Sequence, residues 1–294
     1  MNENDLTKIV TDLIVPIKRA GALLMEIYSQ ETFDSQIKIT DIGKDDVTQA
    51  DLVVDEYLYG YIKRNFPDYG VISEEKYKGE LDKIKSEMEK EYCWTIDGCD
   101  GSTDFKNRTG EFVLMVSLLK MKDYKPVLGM IYKPTTRELF SAVENRGAFQ
   151  HLDDGGSMQK LKVSNVDKLN LSHLVVSQFH NERIMGLVLD DLKEKIRKKT
   201  EIGSGGNKMA SVSKGESDWY FRMTEKIPYW DIAPGHIIVQ ESGGKFTDLK
   251  LDNVMYNHPD FRHRGGLLVS NGLLHESAYE ALKEIKNNLT PPNL

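Results

Sequence analysis

Five acidic residues stand at the ends of apolar runs: Asp51, Glu74, Asp97, Asp100 and Asp231. The densest case is "CWTIDGCDGST" (93–103), where a strand-like run ends in Asp97 and a second acid follows after Gly98 and Cys99. Segments at element ends carry function more often than the elements they join. Three or four carboxylates brought together cannot all ionise without a compensating cation. Oxygen donors with no His or Cys side chain among them select Mg²⁺, Mn²⁺ or Ca²⁺. The Cys99 carbonyl, between the two acids, adds a neutral oxygen. Gly101, Ser102 and Thr103 then offer backbone N–H groups at a helix start, which suit phosphate, and Ser102 adds a hydroxyl. Hard cations beside a phosphate cradle point to metal-assisted hydrolysis of a phosphate ester.

Each acid also has an ordinary reading. Asp51 completes a capping box with Thr48, Glu74 is a surface acid, and Asp231 favours the positive end of a helix. Asp97 and Asp100 make a polar turn. The ordinary readings weaken if the five belong to one constellation.

The chain around them has 294 residues, 39% hydrophobic and 29% charged, with a net charge of −7. That length supports a substantial core, and the negative balance argues against nucleic acid as the main partner. The seven histidines show no HxxxH or HxH pair, so zinc is not expected. Cys93 and Cys99 lie six apart across a strand end, a poor disulfide prospect, and the chain reads as reduced and cytoplasmic. No apolar run reaches the roughly 20 residues of a membrane span, and "MNENDLTKIV" lacks the basic-then-apolar order of a signal peptide.

The elements that must position the acids follow from periodicity. Leu6, Ile9, Val10, Leu13, Ile17, Ala20, Leu24 and Ile27 predict a helix over 5–28. Val54, Tyr57, Leu58, Tyr61, Ile62 and Phe66 predict another over 48–66, with Thr48 as its N-cap. "YGVIS" (69–73) is a strand ending at Glu74, and the charged run 77–91 is a solvated helical excursion. Strands at 93–97, 112–120, 127–132 and 138–143, then a hairpin at "NRGAF", make an antiparallel meander. Beyond about residue 170 the pattern alternates. It reads strand 173–177, helix 184–198, helix 207–214, strand "DWYFR", a helix opened by Asp231, strands "GKFTD" and "GGLLVS", and a closing helix 273–287. An α+β half over 1–165 and an α/β half over 166–294 are therefore expected.

The acids sit in motifs that resemble a known family. Ile96-Asp97-Gly98-Cys99-Asp100-Gly101-Ser102-Thr103 resembles the D-P-[IL]-D-G-[ST] signature of the inositol monophosphatase superfamily, the lithium-sensitive, Mg²⁺-dependent phosphatases. Val47-Thr48-Gln49-Ala50-Asp51 is similar to its V-T-x-x-D element, and Ile72-Ser73-Glu74-Glu75 to its [GS]-E-E element. Trp230-Asp231-Ile232-Ala233-Pro234-Gly235 is similar to W-D-x-A-x-G, and Glu241-Ser242-Gly243-Gly244 to the E-A-G-G beyond it. The motifs occur in family order over roughly residues 50–250. The resemblance implies a layered αβαβα sandwich, like that of the fructose-1,6-bisphosphatases. By this resemblance Glu74, Asp97 and the Cys99 carbonyl hold a first Mg²⁺, and Asp97, Asp100 and Asp231 a second. A third, weaker ion lies near Glu74 through water. Asp51 with Ser102 activates the attacking water, and the Gly101 and Ser102 amides bind phosphate. Lithium inhibition is implied in the same way. The sequence departs from the signature at Gly98-Cys99, where proline and an aliphatic residue are usual; glycine is expected to loosen the turn. Ser102 stands where many members have threonine.

Within the superfamily, Phe105-Lys106-Asn107-Arg108-Thr109-Gly110-Glu111-Phe112, Gly203-Ser204-Gly205-Gly206-Asn207-Lys208 and Asp218-Trp219-Tyr220-Phe221-Arg222 resemble segments of the 3′(2′),5′-bisphosphate nucleotidases. That resemblance implies removal of the 3′-phosphate of 3′-phosphoadenosine 5′-phosphate, giving AMP. Lys208, Arg222 and Ser204 are candidates for the non-reacting phosphate, and His180 for base or phosphate. An inositol or broader sugar phosphatase is the alternative, and a catalytically silent metal- or nucleotide-binding protein is a third reading. The nucleotidase reading favours a monomer over a homodimer.

Overall fold

The computed structural model describes residues 1–32, 34–40, 43–77, 80–152, 156–178 and 183–289. The first helical period forms α1 (Glu3–Tyr28), whose buried stripe contains all eight apolar residues that predict it. Asn2 and Asp5 close a reciprocal capping box at its start. A hairpin, β1 (Ser35–Thr40) with β2 (Gly43–Thr48), precedes α2 (Gln49–Asn65). Thr48 caps α2 as its spacing predicts. Its hydroxyl accepts from the Ala50 and Asp51 N–H groups, and the Asp51 carboxylate accepts the Thr48 N–H in return.

Strand β3 (Gly70–Ser73) passes directly into the one-turn α3 (Glu74–Tyr77), so Glu74 sits at a sheet end. The charged run folds into α4 (Leu81–Met88), which buries Ile84. Strand β4 (Tyr92–Asp100) is longer than its apolar run. Asp97 and Asp100 do not flank a turn into a helix; both lie within β4. Asp97 pairs with Met115 and Asp100 with Val113, and the register shifts between them. Such an irregularity re-aims side chains that simple alternation would send to opposite faces. The short α5 (Ser102–Lys106) follows. The meander then runs through β5 (Val113–Lys120), β6 (Lys125–Lys133), β7 (Glu138–Val143), β8 (Gly147–His151) and β9 (Met158–Lys160). The sheet order is β3-β4-β5-β6-β7-β8-β9, with β3 parallel to β4 and every other pair antiparallel.

The second sheet has the order β11-β10-β12-β16-β14, built from β10 (His173–Ser177), β11 (Lys198–Ile202), β12 (Trp219–Arg222), β14 (Lys245–Thr247) and β16 (Leu267–Ser270). Its helices are α6 (Arg183–Lys193), α7 (Gly205–Ser213), α8 (Ala233–Glu241) and α9 (His275–Leu289), and β13 (Ile227–Pro228) pairs with β15 (Arg262–His263) outside the two main sheets. Two expectations change. The helix expected over 184–198 ends at Lys193, and Lys198–Ile202 pairs with β10 as an edge strand. Pairing with a distant strand overrides local periodicity there. Asp231 does not open a helix; it ends a single 3₁₀ turn, Tyr229–Asp231, ahead of α8.

Contacts stack these elements in five layers. Helices α1 and α2 cover one face of the first sheet; α7 and α8 lie between the two sheets; α6 and α9 pack together, with α9 against β16. The buried apolar residues form a cluster for each interface. The layered αβαβα sandwich expected for the chain is what it forms. Among the described residues, no helix is long and apolar enough to cross a membrane.

One buried acid in this frame tests its electrostatics. Asp55, a turn along α2 from Asp51, accepts from Ser73 Oγ at 3.1 Å through Oδ2, and its buried Oδ1 has no partner among the described residues. Burial pushes its pKa up to about 7. The folded state keeps this proton up to that pH, whereas an unfolded Asp releases it near about 4. The group's contribution to stability therefore falls as pH rises through that window. In denaturant unfolding at about pH 5 and about pH 8, Asp55→Asn gains on the wild type at the higher pH. Parallel pH slopes for the two proteins would contradict this.

Candidate functional site

The first pair to meet is Asp51 and Ser102, 51 positions apart in sequence. Capping geometry fixes Asp51: Oδ2 accepts from the Thr48 N–H at 2.6 Å and from Thr48 Oγ1 at 2.5 Å. Its Oδ1 remains for Ser102, whose hydroxyl lies 3.1 Å away. The same hydroxyl is 3.2 Å from the Cys99 carbonyl, so its one proton has two acceptors. Burial raises the Asp51 carboxyl to about pKa 6, against the bonds from Thr48. A carboxylate whose pKa is raised toward neutrality and that is held on a hydroxyl is suited to receiving a proton through it. Gly101, with φ of 99°, makes the left-handed corner between β4 and α5.

The remaining acids gather beside this pair. Asp97 is buried, and its Oδ1 accepts the Cys99 N–H at 2.9 Å. Its pKa is raised well above the usual carboxylate range, first by burial and then by the charges of Glu74, Asp100 and Asp231. The structure thus brings together four acids from β4, the start of α3 and the 3₁₀ turn before α8. Among the described residues, no three are arranged to enclose an ion as they stand. Their protein partners explain where they point. Asp100 Oδ2 accepts from Ser204 Oγ and from the Gly206 N–H, and Asp231 Oδ2 accepts from Arg222 at 3.0 Å. The donor set remains one of hard oxygens, with mutual repulsion that a divalent cation relieves.

Gly98 departs from its expectation. A Cβ there would stand 3.2 Å from the Asp55 N and 3.3 Å from the Asp51 carbonyl oxygen, so β4 lies against the α2 backbone at this point. Contact with the helix, rather than a fixed φ, restrains the segment between Asp97 and Asp100. Both cysteine thiols are free and buried, and burial raises both their pKa values. That is the inert state expected of a thiol in apolar surroundings.

The cations expected to meet substrate are also here. Lys208 is only 2% exposed; its Nζ donates to the Ser204 carbonyl at 2.6 Å, and burial lowers its pKa to about 8. Arg222 on β12 pairs with Asp231, a partnership that separate motifs did not suggest. Ser204 reaches Asp100. His180 lies outside the described residues. Sequence reasoning passed over Asp104 in α5, which reads as an ordinary first-turn helix acid. Its carboxylate accepts from Thr109 Oγ1 and lies against the Gly203 backbone. The signal available was Gly203, a glycine facing it across the fold.

The inositol monophosphatase family model matches residues 5–287. A 3′(2′),5′-bisphosphate nucleotidase of Aggregatibacter actinomycetemcomitans is 31% identical over 255 residues, 85% of this chain and 88% of that one. An inositol-1-monophosphatase of Bacillus subtilis is 26% identical over 267 residues, 90% of this chain and 92% of that one. The structure of an IMPase from Thermotoga maritima superposes with a TM-score of 0.79 at 24% identity, covering 96% of this chain and all of that one. With that match over nearly its whole length, the chain belongs to the inositol monophosphatase family and is a metal-dependent phosphatase, of a kind that in general uses Mg²⁺.

Proposed function

We propose that the protein is a Mg²⁺-dependent 3′(2′),5′-bisphosphate nucleotidase that removes the 3′-phosphate of 3′-phosphoadenosine 5′-phosphate. The observation that carries this reading is a pair of cations beside the acids, Lys208 buried and Arg222 partly buried. Asp100 acts electrostatically on both, and Asp231 pairs with Arg222. A substrate with a second phosphate needs such cations; a monophosphate on a neutral ring does not. Lys208 spends one of its three protons on the Ser204 carbonyl, which leaves donors for an anion. The nucleotidase relative supports the same substrate.

In this reading the 1–165 half supplies Asp51, Glu74, Asp97, Asp100 and Ser102, and the 166–294 half supplies Ser204, Lys208, Arg222 and Asp231. Glu74, Asp97 and the Cys99 carbonyl would hold one Mg²⁺, Asp97, Asp100 and Asp231 would hold another, and Glu74 would contribute to a weaker third. Bound Mg²⁺ offsets phosphoryl charge and makes a nearby water more acidic. Asp51 accepts that water's proton through the Ser102 hydroxyl, the two atoms being 3.1 Å apart. The Gly101 and Ser102 amides orient the phosphoryl oxygens. Asp231 holds Arg222 in place until an anion competes for it.

Phosphate release from 3′-phosphoadenosine 5′-phosphate and from inositol 1-phosphate, each with Mg²⁺, tests the substrate. Strong preference for the nucleotide is expected; turnover of inositol 1-phosphate with none of the nucleotide sinks the reading. Asp97→Asn lowers kcat/KM by at least about 100-fold, and Asp51→Asn lowers kcat by about 100-fold or more. Wild-type rates in either variant would remove that residue from its role. Lys208→Met cuts the preference for the bisphosphate by about tenfold or more, seen mainly in KM; an unchanged preference would leave the second phosphate without its proposed partner.

A further inference from the structure

The turn at 203–206 joins the acid-bearing segment to the loop that follows β11. Ser204 adopts φ of 59° and ψ of 140°, a conformation that residues with a Cβ rarely occupy. Such strain persists only where surrounding contacts over-determine it. The Ser204 hydroxyl and carbonyl are both engaged. The hydroxyl donates to Asp100 and accepts the Asn207 N–H, the carbonyl accepts Lys208 Nζ, and the Ser204 N–H lies on the side of the Asp104 carboxylate, which it helps keep charged. Asp104 is itself hooked by Thr109 Oγ1 at 2.9 Å. Gly203 makes the approach possible, because a Cβ there would stand 2.2 Å from Asp104 Oδ1 and 2.5 Å from Oδ2. The carboxylate therefore lies directly against bare backbone.

We infer that Asp104 is a positioning residue, whose carboxylate clamps the Gly203–Gly206 turn in the strained form that aims Ser204 Oγ and the Gly206 N–H at Asp100 and the Ser204 carbonyl at Lys208. The clamp is a property of the fold. Its kinetic consequence rests on the proposed roles of Asp100 and Lys208. Loss of a partner that orients a metal-binding carboxylate typically costs about 10- to 100-fold in metal affinity or activity, so losing the clamp weakens both Mg²⁺ activation and turnover.

Hydrogen–deuterium exchange on the full chain reads the clamp without any activity. In Asp104→Ala the amides of 203–208 exchange faster by about tenfold or more. Asp104→Asn keeps an accepting oxygen and recovers most of the protection. Gly203→Ala, which displaces the carboxylate without removing it, behaves like Asp104→Ala. Ile17→Val, a truncation in the distant α1 layer, lowers the melting temperature and leaves 203–208 protected. In kinetics, Asp104→Ala lowers kcat/KM by about 30- to 100-fold and raises the Mg²⁺ concentration for half-activation; Ile17→Val moves neither. Wild-type exchange at 203–208 in both Asp104→Ala and Gly203→Ala overturns the inference, whatever the enzyme's activity. Faster exchange in a protein whose wild type hydrolyses no phosphomonoester keeps the clamp and removes the phosphatase reading for Asp100.

Discussion

Confinement of negative charge organises this molecule. Burial first, and then the charges of Glu74, Asp100 and Asp231, raise the Asp97 carboxyl well above the usual range. A protein places four carboxylates together at a cost, since like charges in a poorly hydrated site repel strongly. Three of them are restrained from relaxing outward. Asp97 is tied to the Cys99 amide, Asp100 to Ser204 and Gly206, and Asp231 to Arg222. The repulsion is thus held in a rigid frame, as a site intended for a cation requires.

The frame is held because the acids come from the first sheet and the segments beside it, while their partners come from the second sheet and the helices between the two. Asp97 and Asp100 belong to β4, which pairs with β3 on one side and β5 on the other. Asp231 sits in the 3₁₀ turn before α8, a helix packed against that sheet, and its partner Arg222 comes from β12 of the second sheet. Ser204 crosses from the second half to Asp100. Charge complementarity and packing therefore do one job together: the second sheet and its helices supply cations and donors that fix the carboxylates of the first.

Two local irregularities serve that arrangement. The register shift in β4 brings Asp97 and Asp100 into one group although they are three residues apart along a strand. The strained backbone at Ser204 lets one short turn face Asp100, Asp104 and Lys208 together. Both are places where regular structure is given up close to the proposed chemistry, and both are held by contacts from elsewhere in the chain.

Much of the fold and part of the site were legible in the sequence. Helices α1 and α2, the Thr48 cap, the meander and the grouping of acids at element ends all follow from periodicity and capping chemistry, which act over a few residues. The four motifs in order were enough to indicate the family. What the sequence alone determined about this protein is its supply of parts: five acids, a hydroxyl at Ser102, two cations and the elements carrying most of them. Tertiary structure decided how they combine. That β4 runs on through Asp100, that 198–202 is a strand, that Arg222 belongs to Asp231, that Gly98 is pressed against α2 and that Asp104 lies on Gly203 all depend on partners far along the chain. No local pattern encodes those partners, because hydrogen bonds, ion pairs and close contacts between distant segments exist only once the layers have packed.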